Sequence, residues 1–275
     1  MSSLCLMRKT LLFLRLIQKK LLQKFSNQKN IKMKKFILVG LLFITLALGH
    51  FVGNQNNNKN FITEKNPKKN DQEKLPVIKE TQEAAIPKEY LIRNVPFISQ
   101  APFANWDELH DEACEEASLV IIDYYLSGKD LNADLAEKEI KEQVNWELNF
   151  FGSHRDLNTN EVVTLAENYY NMHNLTVKKI NSIDDIKKEI SQNHLVIVPA
   201  AGRDLKNPNY RSPGPIYHML VVSGYDENHF ITQDVGTKRG QNYIYDEDVL
   251  FDAIHDWTGT GDTIESGAKN TIIVN

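Results

Sequence analysis

Residues 53–89 are rich in Asn, Lys, Glu and Gln and hold almost no paired apolar residues, and this stretch decides which part of the chain can fold. So little apolar surface cannot offset the conformational entropy of ordering the segment, which therefore reads as a solvated, disordered spacer. Any core must be built from residues 90–275, a length that suits one domain.

Upstream of the spacer, the run FILVGLLFITLALG covers residues 36–49 and follows Lys34-Lys35. It is shorter than the roughly 20 residues that cross a bilayer. It has the length of a signal-peptide apolar region, and Ala47-Leu48-Gly49 offers small residues where a signal peptidase reads them. Extending the run to Val52 passes over His50, so a short uncleaved membrane anchor is the other reading. Met33-Lys34-Lys35 has the form of a signal start, which makes residues 1–32 an over-extended start or a basic leader. An interfacial helix over residues 11–25 is the alternative there. The expected organisation is a leader (1–32), a signal peptide or anchor (33–52), a linker (53–89) and a folded domain (90–275). The domain would be exported, either secreted or held at the membrane surface.

Charge narrows the partners. Residues 1–35 carry ten Lys/Arg and no Asp/Glu, which leaves 22 Lys/Arg against 36 Asp/Glu in the rest. A domain this acidic is a poor partner for nucleic acid.

Within the domain, residues 113–126 repeat apolar positions at helical spacing, and Ser127-Gly128 ends them as a C-cap would. Further helices are expected over 132–146, capped by Asn132, and over 159–173. Ser182 with Asp185 forms a capping box for a helix reaching 192. Strands are expected over 91–99 (or an extended loop), 175–180, 195–200, 216–225, 230–234, 242–245 and 271–274, with a helix over 247–257. Helices first and strands later indicate an α+β fold with segregated elements. Residues 203–215, with three prolines, form a long loop, either on the substrate side or a surface excursion.

Of the two cysteines, Cys5 falls outside the domain, so Cys114 has no partner for an internal disulfide. No Cys/Cys or Cys/His spacing suggests zinc. A lone cysteine is commonly a small buried hydrophobe. Cys114, however, opens the first core helix, where free backbone N–H groups and the helix dipole favour the thiolate. Glu112, Glu115 and Glu116 flank it, and their carboxylates are expected to point away from the sulfur.

A thiol nucleophile needs a base. Among eight histidines, His218 alone lies inside an apolar strand, IYHMLVV, where an unpaired ring would be costly. It is either a hydrogen-bonded core histidine or that base. Hairpin geometry supplies an orienter. With the three-residue loop Asp226-Glu227-Asn228, and Asn228 left-handed, Tyr225 faces His229 and Leu220 faces Asp234. His218 and Asp234 then share a face as diagonal neighbours, about 7–8 Å apart at the backbone. Asp234 is otherwise a turn residue beside Gly236. Gln100, 14 residues before Cys114, offers a neutral amide suited to an oxyanion.

The segments VPFISQAPFANWDELHDEACEEAS, YHMLVVSGYDENHFITQDVGTKRGQNYIY and AIHDW resemble the bacterial double-glycine leader peptidases, cysteine peptidase family thirty-nine, in a stand-alone exported branch. The resemblance spans about residues 90–275. It implies a papain-like fold with Gln100 at the oxyanion hole, Cys114 as nucleophile, His218 as general base and acid, and Asp234 as orienter. No transporter or ATPase segment accompanies the resemblance, and Val235 follows Asp234 where such proteins often carry Pro. A peptide or protein substrate is implied, with no metal and no organic cofactor. A cell-wall peptide amidase of similar fold and a non-catalytic surface binding module are the competing readings.

Overall fold

The computed structural model describes residues 85–275. The expected leader, the signal or anchor, and the linker as far as residue 84 lie outside the described residues. Among the described residues no helix is long and apolar enough to cross a membrane.

The fold is α+β. The chain enters through a short strand β1 (Tyr90–Leu91), then runs through four helices: α1 (Glu108–Asp111), α2 (Cys114–Ser127), α3 (Ala133–Phe150) and α4 (Thr159–Tyr169). Strand β2 (Leu175–Lys179), helix α5 (Ile183–Ser191), strands β3 (Leu195–Ala201), β4 (Tyr217–Tyr225), β5 (His229–Gln233) and β6 (Tyr243–Asp246), helix α6 (Glu247–Ala253) and strand β7 (Asn270–Val274) complete it. One sheet has the order β2-β7-β3-β4-β5-β6, with β1 added on β4. All its pairs are antiparallel.

Local chemistry explains the helix boundaries. Gly128 ends α2 in the left-handed conformation at φ 63°, as glycine does without steric cost. The Asn132 side chain accepts from Leu135 N at the start of α3. Asn158 and Glu161 form a capping box on α4, as Ser182 and Asp185 do on α5. Three predicted ends move. The 132–146 helix runs on to Phe150, and the 159–173 helix stops at Tyr169, two residues before Asn171 turns left-handed at φ 59°. The 247–257 helix stops at Ala253 because Ile254 bridges to Ala200 and His255 N donates to Pro199 O, so the chain turns onto β3. The AIHDW segment therefore serves the scaffold: Asp256 accepts from Thr159 N at 2.9 Å and Thr159 Oγ1 at 2.7 Å and so ties down the start of α4.

Every residue of β3 and β4 is buried, so side chains on both faces of these central strands are covered. Helix α2 packs on β4, and α5 on β3 and β4. Ser118 Oγ donates to Met219 O at 3.4 Å, joining α2, one turn after Cys114, to β4 beside His218.

The β4–β5 hairpin departs from its predicted form in two ways that cancel. Tyr225 pairs with Phe230, not His229, so the loop is one residue longer than expected. It is organised by Asp226, whose Oδ1 accepts from Asn228 N and His229 N, and Asn228 is not left-handed. An irregularity between Val222 and Gly224 then shifts the register back, so Val221 pairs with Gln233. Continuing that register sets Leu220 opposite Asp234, the alignment the sequence predicts at the end that matters.

Candidate active site

Cys114 is the first residue of α2, 3% exposed, and its helix cap is Ala113, which offers no side-chain acceptor. The backbone N–H of Cys114, in the first turn, has no acceptor within the helix. The side chain does not behave as predicted. Sγ donates to Glu115 Oε2 at 3.0 Å, so this carboxylate faces the sulfur. Burial, and after it Glu115 and Asp156, push the thiol well above its ordinary value. Glu115 is itself raised by burial, Asp156 and Glu116, while its Oε1 accepts from Leu157 N at 2.7 Å. Desolvation and acids thus override the helix-start effect, and the thiol is protonated.

His218, the second residue of β4, is 1% exposed, and Asp234, just beyond β5, is fully buried. Their side chains meet as predicted: His218 Nε2 lies 2.8 Å from Asp234 Oδ1. Asp234 is held by more than the histidine. Its Oδ1 also accepts from Gly236 N at 3.0 Å. Its Oδ2 accepts from Asn207 Nδ2 at 2.9 Å, Tyr210 OH at 2.8 Å and Tyr245 OH at 2.6 Å. Burial alone would raise Asp234; the charge and hydrogen bond of His218, with the two tyrosine hydroxyls, outweigh it and hold the carboxyl below its ordinary value. An ionised Asp234 only accepts, so Nε2 donates in this contact and Nδ1 is the ring nitrogen left to exchange a proton.

The ring has a fitted slot. A Cβ on Gly236 would stand 2.8 Å from His218 Cε1, and one on Gly202 would stand 3.2 Å from His218 Cβ. Tyr210 meets the imidazole edge-on, with centroids 5.4 Å apart. Tyr210, Asn207 and Tyr245 escape the sequence reading. The first two come from the 203–215 loop, and its string of polar residues ahead of the His218 strand was the available signal. A cavity of about 240 Å³ opens beside them, lined by Gly202, Arg203, Lys206, Asn207, Tyr210 and Gly214 among others.

Gln100 is buried and anchored through its own N–H to Val235 O, one residue past Asp234. Its Nε2 donates to His110 O at 2.7 Å and Asp111 O at 3.1 Å. Both amide hydrogens are therefore directed at the turn leading into Cys114. His110 lies buried on α1 between Asp107 and Glu137.

The four predicted residues thus fall into two groups joined through α2 and β4. His218 and Asp234 touch, and Gln100 borders both Val235 and the turn before Cys114. Among the described residues, the hydrogen bond of Cys114 Sγ goes to Glu115 and not to the imidazole.

A cysteine at a helix start, packed on an antiparallel sheet that carries a His–Asp pair, is the layout of the papain-like fold. The model of the Peptidase_C39-like family matches residues 92–264, and the chain belongs to that family. A Bacillus anthracis protein, whose crystal structure is described as that of a C39-like peptidase, is similar at 16% identity. The match covers 69% of this chain and 98% of that one, with a TM-score of 0.45. No curated protein matches the chain.

Proposed function

We propose that this protein is an exported thiol peptidase that cleaves peptide bonds through Cys114, His218 and Asp234. The observation that carries the reading is the buried 2.8 Å contact between His218 Nε2 and Asp234 Oδ1, in a chain of a peptidase family whose nucleophile-type cysteine opens the neighbouring helix. The apolar run over residues 36–49 supports export.

In this reading Cys114 Sγ rotates off Glu115 toward His218. Nδ1 takes the thiol proton, and the thiolate attacks the carbonyl carbon of the substrate. The backbone N–H of Cys114 steadies the oxyanion, and Gln100 fixes the turn that presents it. His218, held by Asp234, then gives its proton to the leaving amine, and water deprotonated by His218 hydrolyses the thioester and restores the thiol. In this reading the cavity beside Tyr210 takes a substrate side chain.

The test is a mixed peptide library incubated with the full chain, with products read by mass spectrometry. Cleavage that disappears in Cys114→Ala and in His218→Ala supports the reading. Cleavage that survives Cys114→Ala sinks it. The buried thiol on Glu115 favours a second reading, a non-catalytic surface module. No cleavage of any peptide, together with a Cys114 that iodoacetamide leaves unlabelled in the folded protein, would select it.

A further inference from the structure

Three side chains away from the His–Asp pair face one another with buried polar atoms that lack a hydrogen-bond partner. Glu116 on α2, Glu147 near the end of α3 and His154 in the following loop each bring one potential ligand atom to within 4.8 Å of the others. Ligands of a four-coordinate ion bound at about 2.2 Å stand about 3.6 Å apart, so the three side chains must draw together to close the set around an ion. Glu116 is 1% exposed and Glu147 is fully buried.

Unpaired buried polar atoms are concentrated at this place. Among the described residues, nine buried side-chain polar atoms have no hydrogen-bond partner, and five of them are Glu116 Oε1 and Oε2, Glu147 Oε1 and Oε2, and His154 Nε2. His154 Nε2 approaches Glu116 Oε1 to 3.0 Å, yet the two do not meet at a hydrogen-bonding angle. Buried unsatisfied groups are few in native proteins, and such a concentration needs an explanation.

We infer that Glu116, Glu147 and His154 form a binding site for one divalent transition-metal ion of the zinc type, clamping α2 to α3 behind the Cys114 turn. Two carboxylates and a neutral imidazole balance a doubly charged ion, and a nitrogen among the ligands disfavours calcium and magnesium. Three protein ligands leave a position for solvent. The competing account is a proton shared by the two acids: burial and Glu116 push the Glu147 carboxyl up to about 11. A proton shared by the two acids would still leave His154 Nε2, 3.0 Å from Glu116 Oε1, without a hydrogen-bond partner. The sequence expectation of no metal rested on Cys and His spacing; a Glu, Glu, His set drawn from two helices and a loop leaves no such pattern.

The site is independent of the peptidase reading, and its test uses metal content and stability. The full chain carries Cys114→Ala, so that the thiol cannot bind metal. It is purified without chelator, analysed for Zn, Mn, Fe, Co, Ni and Cu, then stripped and titrated with Zn2+ under thermal unfolding. About one equivalent of metal per chain, or a Zn2+-dependent rise in melting temperature, is expected, and both should vanish when Glu147→Gln or His154→Ala is added. Metal at background with no Zn2+-dependent rise overturns the proposal, as does binding that survives both variants. Should either variant fail to fold by circular dichroism, the Co2+ absorption spectrum of the Cys114→Ala protein decides. Visible bands of nitrogen and oxygen coordination support the site, and their absence refutes it.

Discussion

Tyr245→Phe tests whether Asp234 is the charged centre of the site. The change removes one hydroxyl and no packing volume of consequence. Asp234 Oδ2 loses its shortest bond, 2.6 Å from Tyr245, and keeps Asn207 and Tyr210 at 2.9 and 2.8 Å. A hydrogen bond to a charged group contributes about 1.5–3 kcal/mol. At roughly 2–4 °C per kcal/mol for a domain of this size, the melting temperature should fall by about 3–12 °C near neutral pH. The pH dependence is the sharper part. Asp234 is held below its ordinary value of 3.8, so its stabilisation is fully present above that value and is lost as pH falls through the lower folded one. Tyr245→Phe raises the folded value toward the unfolded one and so removes part of a contribution that exists only while the carboxyl is ionised. Melting curves of the wild type and the variant from neutral pH into acid should therefore converge at the acid end. A gap of constant size at all pH values would show that Tyr245 acts through packing and its bonds to Asn207 and Tyr210, and that Asp234 is not the ionised hub described above.

Other perturbations probe the slot and the scaffold separately. Gly236→Ala sets a Cβ 2.8 Å from His218 Cε1 and 2.9 Å from Tyr210 Cε1, and should lower kcat roughly 10²-fold by displacing the ring, measured with any library peptide that is cut. Gln100→Ala separates two roles: loss of the amide bonds to His110 O and Asp111 O should destabilise by about 1–3 kcal/mol in denaturant unfolding, besides slowing turnover. A pure oxyanion donor would instead slow turnover by about 10²–10³ with stability intact. Ser182→Ala, which removes the exposed capping box of α5, should cost about 1 kcal/mol of stability while leaving kcat/KM unchanged.

How much of this was legible in the chain depends on the range of the interaction that decides each feature. Caps are local, and Gly128, Asn132 and the Ser182–Asp185 box stand where side-chain chemistry puts them. The His218–Asp234 contact was reachable because a strand's two-residue period ties register to face. It survived an error in the loop only because the irregularity after Val222 restored the alignment. What could not be read is set by tertiary neighbours far along the chain. Leu157 N, 42 residues away, anchors Glu115 Oε1, while Oε2 of the same carboxylate faces the sulfur. Asn207 and Tyr210 reach Asp234 from a loop whose polar run ahead of the His218 strand was a signal too weak to name the two residues.

The reversal at Cys114 follows from comparing magnitudes. A helix terminus stabilises a charge by at most about 2 kcal/mol, and usually by less than half of that. Burial of a thiolate costs several kcal/mol, and the acids at positions 115 and 156 add to that cost. A helix start is therefore a good place for a reactive cysteine only where solvent or a cation shares the load, and at Cys114 the nearest charged neighbours are acids. If the protein is a peptidase, the thiolate must be made at the moment of attack, by transfer to the His218 ring that Asp234 supports. His218→Ala should then abolish turnover as completely as Cys114→Ala does. A His218→Ala enzyme that kept even a few per cent of the wild-type kcat would mean that the helix start activates the sulfur after all.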